Sequence, residues 1–408
     1  MKIVYLTASF PFGKGEAFFI PEIEELRAQG NELVLVPLHP RGPLLHQDAN
    51  PLLSITVMER LLSVRILADA LLQAFGHPVR TGLAAATLLQ SRSTRIAIKN
   101  ASVLLKSLWL ARYVSISGTE HIHAQWGGCT ATAAMIASRI SGIPWSFTVH
   151  SWELVENNLL DVKARNASFV RVVSQFGKSR LQRRTSAQVD LLHLGIRLPD
   201  SPNPAARTAG STFRLVVVAS LIEIKGHKYL FEAWSKLRDR GIVVNIDIVG
   251  EGGLREDLEQ FVAQAGASDH IRFHGMIPHD VLLSQMSADI WDAVALPSIV
   301  DQASQQEGIP VSLMEAMARQ LPVISTETGG IPELLGDGAG LLVPERDSTA
   351  LADAIEQLAS NPSLRRKLAL AGRKRVEESF DVTVIVDRLA KLMQDGYKVR
   401  SVHTASAV

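Results

Sequence analysis

Short runs of Val, Ile and Leu alternate along the chain with longer segments in which apolar residues recur every three to four positions. Runs without polar interruption suit strands buried on both faces of a parallel sheet, and the slower recurrence predicts amphipathic helices between them. A first set of runs falls at 3–7, 33–38, 121–126, 145–149, 169–173 and 191–194. A second set follows residue 212, at 213–219, 244–249, 271–273, 294–296, 323–325 and 340–343. Two βα series stand one after the other, which predicts an α/β chain of two Rossmann-like domains.

Between the series, residues 198–210 contain Pro199, Pro202 and Pro204 among small and polar residues, which cannot pack as a core element. This predicts a first domain over 1–198, a linker over 199–212 and a second domain over 213–380. Val382, Val384, Ile385, Leu389, Leu392 and Met393 recur at helical spacing, so 381–397 is expected to form a closing helix that packs back on the first domain. Ser401 to Val408 is small and polar, and 398–408 reads as a frayed tail. A length of 408 residues is ample for two cores.

Composition narrows the class. Lys and Arg number 42 against 41 Asp and Glu, so the chain as a whole offers no attraction to nucleic acid. The single cysteine, Cys129, rules out an internal disulfide framework and fits a reducing, cytoplasmic setting. The apolar amino-terminal run is too short for a signal peptide. The apolar stretches between 52 and 112 are interrupted by Glu59, Arg60, Arg65 and Asp69 and then by further bases, so no spanning helix is expected.

Most of the candidate chemistry lies in Gln306-Glu307-Gly308-Ile309-Pro310-Val311-Ser312-Leu313-Met314-Glu315-Ala316-Met317-Ala318. Proline lacks only a donor that the first helical turn leaves unpaired, so a helix is predicted from 310. Its open amides and positive end would face an anion such as a phosphate, with Glu307 in the loop before it and Glu315 more than one turn inside. A carboxylate accepts two hydroxyls at once, which suits a sugar ring and a ribose. Alone, Glu-Gly-x-Pro also reads as an ordinary helix start with a surface glutamate.

The surrounding motifs change that weighting. The two glutamates eight apart, Leu321-Pro322-Val323-Ile324-Ser325-Thr326, Gly329-Gly330-Ile331-Pro332-Glu333 and Gly340-Leu341-Leu342-Val343-Pro344-Glu345-Arg346-Asp347 closely resemble the signature of glycosyltransferase family 4. So do Phe273-His274-Gly275-Met276, Ala288-Asp289 and Leu296-Pro297-Ser298. In the first half, His123-Ala124-Gln125-Trp126-Gly127, the Gly142-to-His150 segment and Leu192-His193-Leu194-Gly195-Ile196 extend the likeness over nearly the whole chain. Phe10-Pro11, Gly15-Glu16-Ala17-Phe18-Phe19-Ile20 and Glu22-Ile23 are similar to colanic-acid-type exopolysaccharide transferases.

The resemblance implies a GT-B fold with facing domains, transfer from a nucleoside diphosphate sugar with retention at the anomeric carbon, and no metal or cofactor. The sequence likewise has no Asp-x-Asp pair. By position, Lys225 in Glu223-Ile224-Lys225-Gly226 is implied to contact the donor diphosphate, together with the backbone of Gly308, Ile309, Pro310 and Val311. Glu307 is implied to hold sugar hydroxyls and Glu315 the ribose. Met276 lies near the base in this reading, with core filling as its alternative. The family's usual second base falls on Ser220; either another cation substitutes or the hydroxyl donates a weaker hydrogen bond.

His150 follows the 145–149 run, and the carboxyl ends of parallel strands are where functional side chains gather. The resemblance sets it beside the donor sugar; the alternative is a buried structural histidine. Gly15 sits in the first βα turn, where glycine lets backbone approach a diphosphate, although the full dinucleotide fingerprint is missing. His121 and His123 alternate on one strand face, and without a third ligand they do not make a metal site.

Residues 70–119 contain no Asp or Glu but carry Arg80, Arg92, Arg95, Lys99, Lys106 and Arg112 among aliphatic residues and Trp109. This run is either a basic amphipathic surface that meets anionic lipid through 76–112, or a set of ordinary solvated helix faces. The expected partners are a nucleotide sugar, a saccharide or lipid-linked saccharide acceptor and the inner face of the cytoplasmic membrane. Two rivals remain at this level: a soluble enzyme making a small glycoside, and a non-catalytic protein of the same fold, the latter motivated by Ser220.

Overall fold

The computed structural model describes residues 1–13, 15–44, 47–200 and 212–405, with side chains to residue 396. The chain divides into two compact units, Met1–Gly195 with the segment from Val382, and Ile196–Asp381. Most of the expected linker, 201–211, lies outside the described residues.

Among its described residues, the first unit holds six parallel strands, β1 (Lys2–Thr7), β2 (Glu32–Pro37), β3 (His121–Ala124), β4 (Trp145–Val149), β5 (Phe169–Val172) and β6 (Val189–Leu191), in the spatial order β2-β1-β3-β4-β5-β6. Successive side chains in a strand point to opposite faces. Ile3 and Tyr5 therefore pack with Phe19 and Ile23 and with Val386, Leu389 and Met393 of the carboxy-terminal helix. Val4 and Leu6 pack on the other face with Trp109, Ala134 and Ile136. The helices needed below are α1 (Ile20–Ala28), α2 (Val64–Gly76), α3 (Pro78–Thr87), α4 (Thr94–Ser102), α5 (Leu104–Ile116), α6 (Cys129–Ser141) and α7 (Ser151–Glu156).

The second unit repeats the plan with β7 (Phe213–Val218), β8 (Val244–Val249), β9 (Ile271–Gly275), β10 (Ala293–Leu296), β11 (Val323–Thr326) and β12 (Leu341–Val343), in the order β12-β11-β10-β7-β8-β9. Its core joins Leu215 and Val217 to Ile246, Ile248, Ala295 and Ile324.

The predicted runs correspond to these strands, with one displacement: β6 lies at 189–191 rather than 191–194. Its pairing with β5 runs from Val170↔Val189 to Val172↔Leu191; the Leu192 N–H donates the last bond, to the Val172 carbonyl at 3.0 Å, and Leu194 lies beyond the ladder, both of them buried. The carboxy-terminal helix, Val382–Ala405, continues past 397 where the composition predicts a tail. Extending a formed helix adds a backbone bond for each residue fixed, and no proline after 393 interrupts it.

Each sheet has one point where the order of connection reverses, between β1 and β3 in the first unit and between β7 and β10 in the second. Loops leaving the carboxyl ends of neighbouring strands diverge there and leave a crevice, the usual ligand position in open α/β sheets.

Candidate functional site

At the second switch point, β7 leads through the exposed Ser220 into a tight turn, Glu223–Lys225, ended by Gly226. Gly226 has φ +66°, and a Cβ there would lie 1.9 Å from the Pro297 carbonyl oxygen, so only glycine lets this turn settle on the loop after β10. The Ile299 N–H donates to the Ile224 carbonyl at 2.8 Å and holds the two loops together. Lys225 Nζ thereby reaches Glu307 Oε1 across 82 residues, as an ion pair with side chains 19% and 11% exposed.

The backbone at Glu307 rests on a third loop. Gly330 N–H donates to the Glu307 carbonyl at 3.2 Å, and Gly329 N–H donates to Gln306 Oε1 at 3.1 Å. Gly329 has φ +56°, and a Cβ on it would stand 2.0 Å from the Glu307 carbonyl oxygen. The Gly-Gly pair after β11 is thus the seat of the glutamate loop.

The helix after that loop is Val311–Ala318, with Pro310 as N-cap at ψ 120°, so it begins one residue later than predicted because the proline ψ is extended rather than helical. Ile309 and Pro310 are buried and anchor the entry; Gly308 and Val311 are half-buried beside the first turn, whose Val311 and Ser312 amides have no intrahelical acceptor, while the Leu313 N–H donates to the Pro310 carbonyl at 3.2 Å. Lys225, Glu307, Gly308 and this helix start together present a cation, a carboxylate and oriented amides, which suit a phosphate and hydroxyls.

Glu315, farther along the helix, pairs with His279 instead, Oε1 to Nε2 at 2.7 Å. His279 was missed in the sequence because nothing in its spacing ties it to a glutamate 36 residues away. Met276 follows β9 and is 46% exposed, which removes core filling as its role. The Ser220 carbonyl accepts the Ile222 N–H at 2.9 Å, and no hydrogen bond of its hydroxyl is seen among the described residues. The turn after β8 was also unmarked in the sequence; the Glu251 carbonyl accepts the Leu221 N–H at 3.0 Å and braces the Ser220 segment.

His150 and Gly15 belong to the first unit. His150 caps α7 in a box with Glu153: its ring takes the Glu153 N–H, and the Glu153 carboxylate accepts the His150 N–H at 3.1 Å. Its Nε2 faces the Gln125 carbonyl at 3.1 Å, which requires a proton on that nitrogen. Both ring nitrogens are therefore held by the chain. Burial beside Trp126, Phe18 and Phe19, with the Arg171 guanidinium nearby, pushes the ring down to about 3, so it is neutral. Burial pushes the Glu153 carboxyl up to about 7, even though it also accepts the Gly127 N–H at 3.2 Å.

A Cβ added to Gly15 would meet nothing within 4 Å, and its φ is not in the left-handed region, so the backbone imposes no need for glycine there. The neighbouring Glu16 is the fixed point of that loop. It is 5% exposed and accepts from the N–H groups of Ala8, Ser9 and Phe10, the Ser9 hydroxyl and Trp126 Nε1. His121 and His123 both bond Ser146 Oγ at 2.8 Å in the core, and among the described residues no group of three or more His, Cys, Asp or Glu could hold a metal ion.

The acid-free run is not one basic face. Lys106 is 1% exposed and donates to the carbonyls of Pro37, Leu38 and Glu59; burial lowers it to about 8. Trp109 is buried as well. Lys99 pairs with Glu156 at 2.6 Å, Arg112 with Asp69 at 2.9 Å, and Arg80 donates to the Ile140 carbonyl. No described helix is long and apolar enough to cross a membrane.

A family model described as glycosyl transferases group 1 matches residues 205–375. The colanic acid biosynthesis glycosyltransferase WcaL of Escherichia coli K12 is 31% identical over 290 residues, 66% of this chain and 69% of its own length. The amylovoran biosynthesis glycosyltransferase AmsK of Erwinia amylovora is 33% identical over 51% of either chain. Among solved structures, Anabaena Alr3699/HepE in complex with UDP-glucose shares the fold with TM-score 0.70 at 17% identity, over 97% of this chain and all of the other.

Proposed function

The chain belongs to the group 1 glycosyl transferases and has the GT-B fold, and on that premise we propose that it moves a hexose unit from a nucleoside diphosphate sugar to a saccharide or lipid-linked saccharide, with retention at the anomeric carbon. The biosynthetic names of WcaL and AmsK support surface polysaccharide assembly as the setting. The observation that carries the reading is the Lys225–Glu307 pair beside the amides of the Val311–Ala318 helix.

A diphosphate sugar brings to this place the two things the pair lacks. Its phosphate oxygens draw Lys225 away from Glu307, and its sugar hydroxyls donate to the carboxylate so released. Charge that grows on the leaving diphosphate meets the lysine and the helix amides, so the reaction needs neither a metal nor a cofactor. Glu315 takes the ribose when it exchanges its bond to His279, Met276 lies near the base, and Ser220 offers one hydroxyl to phosphate. Retention follows from same-face attack assisted by the departing phosphate. His150 is assigned to the sugar near the reacting carbon on the family resemblance; to touch it through a ring nitrogen, it must release one of its present bonds. The enzyme works in the cytoplasm at the inner face of the membrane.

Thermal unfolding against UDP-, GDP- and ADP-sugars tests the donor site, since a ligand at 100 times its Kd stabilises by about 2.7 kcal/mol. One of them is expected to raise Tm, and Glu307→Gln is expected to keep the fold while lowering turnover at least about tenfold. No shift with any donor, or full turnover in the variant, overturns the assignment.

A further inference from the structure

The region between β2 and β3 presents apolar side chains to solvent at a density unlike the rest of the surface. Ser63 starts α2 by accepting the Ile66 N–H at 3.2 Å, and Ile66, Ala70 and Gln73 turn inward. The opposite face carries Val64, Leu67, Leu71 and Phe75, which are 85%, 41%, 56% and 82% exposed at helical spacing. Joined to it at His77, α3 exposes Val79 at 72% and Leu83 at 66%. Single exposed aliphatics are ordinary, but a whole helix face of them is a contact surface awaiting its partner.

The charge around this face identifies the partner. The acids on this stretch are already engaged, Asp69 with Arg112 and Glu59 with Arg65, and 70–119 supplies no others. Arg80, Arg92 and Arg95 are exposed. A second copy docking this face on itself would bring bases against bases with no acid to answer them. An apolar interior rimmed by negative charge is the chemistry of an anionic bilayer surface.

We infer that the outer face of α2 and α3 is a lipid-docking surface that inserts its apolar side chains into the headgroup boundary of an anionic bilayer, with Arg80, Arg92 and Arg95 at its rim. The inference rests on the reading that the enzyme works at a membrane. It moves the contact from 76–112 to 64–83 and replaces charge by apolar insertion as the main source of binding. Lys99 and Arg112 have no part in it, because each is paired with a carboxylate, nor does the buried Lys106; the bond of Arg80 to the Ile140 carbonyl leaves its charge uncompensated.

Flotation of the full chain with vesicles of phosphatidylcholine, alone or mixed with phosphatidylglycerol, tests it. Binding to the anionic vesicles is expected, with a residue that survives ~1 M salt, where the Debye length is about 3 Å. Leu67→Ser, Leu71→Ser and Phe75→Ser combined should lower binding at least about tenfold without changing donor-induced Tm shifts. Arg92→Gln and Arg95→Gln should lower it by no more than roughly fivefold each. Binding abolished by salt or by the arginine variants and indifferent to the apolar ones overturns insertion and leaves the 76–112 contact. Absence of binding to either vesicle, with donor shifts intact, overturns the surface while the transferase reading stands. A dimer that the apolar triple variant dissolves, without vesicle binding, assigns the face to a second copy and also overturns it.

Discussion

At the switch point of the second unit a lysine meets a carboxylate in a part-exposed ion pair, whereas at that of the first unit the carboxylate, Glu16, is buried and bonded by five donors fixed in the chain. Both carboxylates stand next to a glycine, Glu16 after Gly15 and Glu307 before Gly308, in loops at the carboxyl ends of parallel strands, and both would look like ligand groups in a list of residues. Their partners separate them. Glu16 has exchanged water for backbone amides and an indole N–H that cannot leave, so its charge is spent on loop geometry. Glu307 faces one flexible lysine, which a phosphate can draw off.

The sharpest break in this comparison is expected from Glu16→Ala. It strands buried donors in the first unit and should cost about 3–5 kcal/mol in urea unfolding, with nucleotide affinity unchanged in the protein that remains folded. A parallel loss of nucleotide affinity would make Glu16 a ligand group after all. Gly329→Ala should act on the other side: with its Cβ driven against the Glu307 carbonyl, the seat of the loop shifts and calorimetric affinity for the donor falls by about a hundredfold. Unaltered affinity would show that the Gly-Gly seat is dispensable.

Proton linkage offers a further contrast, because the first unit holds a carboxyl that prefers to be neutral. Burial raises Glu153 to about 7 from 4.5, so between those values the folded state keeps a proton that the unfolded state has lost. Stability is therefore greatest below 4.5 with respect to this group and declines as pH rises to about 7, by about 3 kcal/mol. Glu153→Gln should remove that decline and leave the opposite rise that His150, pushed down to about 3 from 6.5, contributes between those values. Lys163, pushed down by burial to about 7 from 10.5, contributes stability above 10.5 that is lost as pH falls through 7, a window that leaves the acid side clear. An unchanged slope in the variant would remove Glu153 as its source.

Lys225→Ala refines the second site. Affinity for a nucleoside diphosphate should fall about tenfold while that for the nucleoside stays the same, since the ammonium addresses phosphate alone. Equal losses would indicate a displaced loop. The smallest effect is expected at Gly15: alanine there meets no atom, so stability should stay within about 0.5 kcal/mol and donor affinity should not change. A marked loss of donor affinity would restore Gly15 to the binding site.

Local periodicity determined a great deal by itself. Eleven of the twelve strands among the described residues, the division into two series and the turn of chain that carries Glu307 all follow from patterns that span fewer than about a dozen residues, and such patterns reflect the burial each element must achieve. Tertiary structure alone decided which loops meet. Lys225 reaches Glu307 because β7 and β10 are neighbours, Gly329 supports the same glutamate because β11 is next in order, and His279 takes Glu315 from a separate helix. Periodicity also failed to tell inside from outside where a helix is apolar all round. Lys106 lies in the core with three carbonyl partners, while Leu71 and Phe75 of α2 face solvent. The reason is physical: a side chain's own sequence sets its spacing on the helix, but which face is covered depends on the neighbours that pack against it.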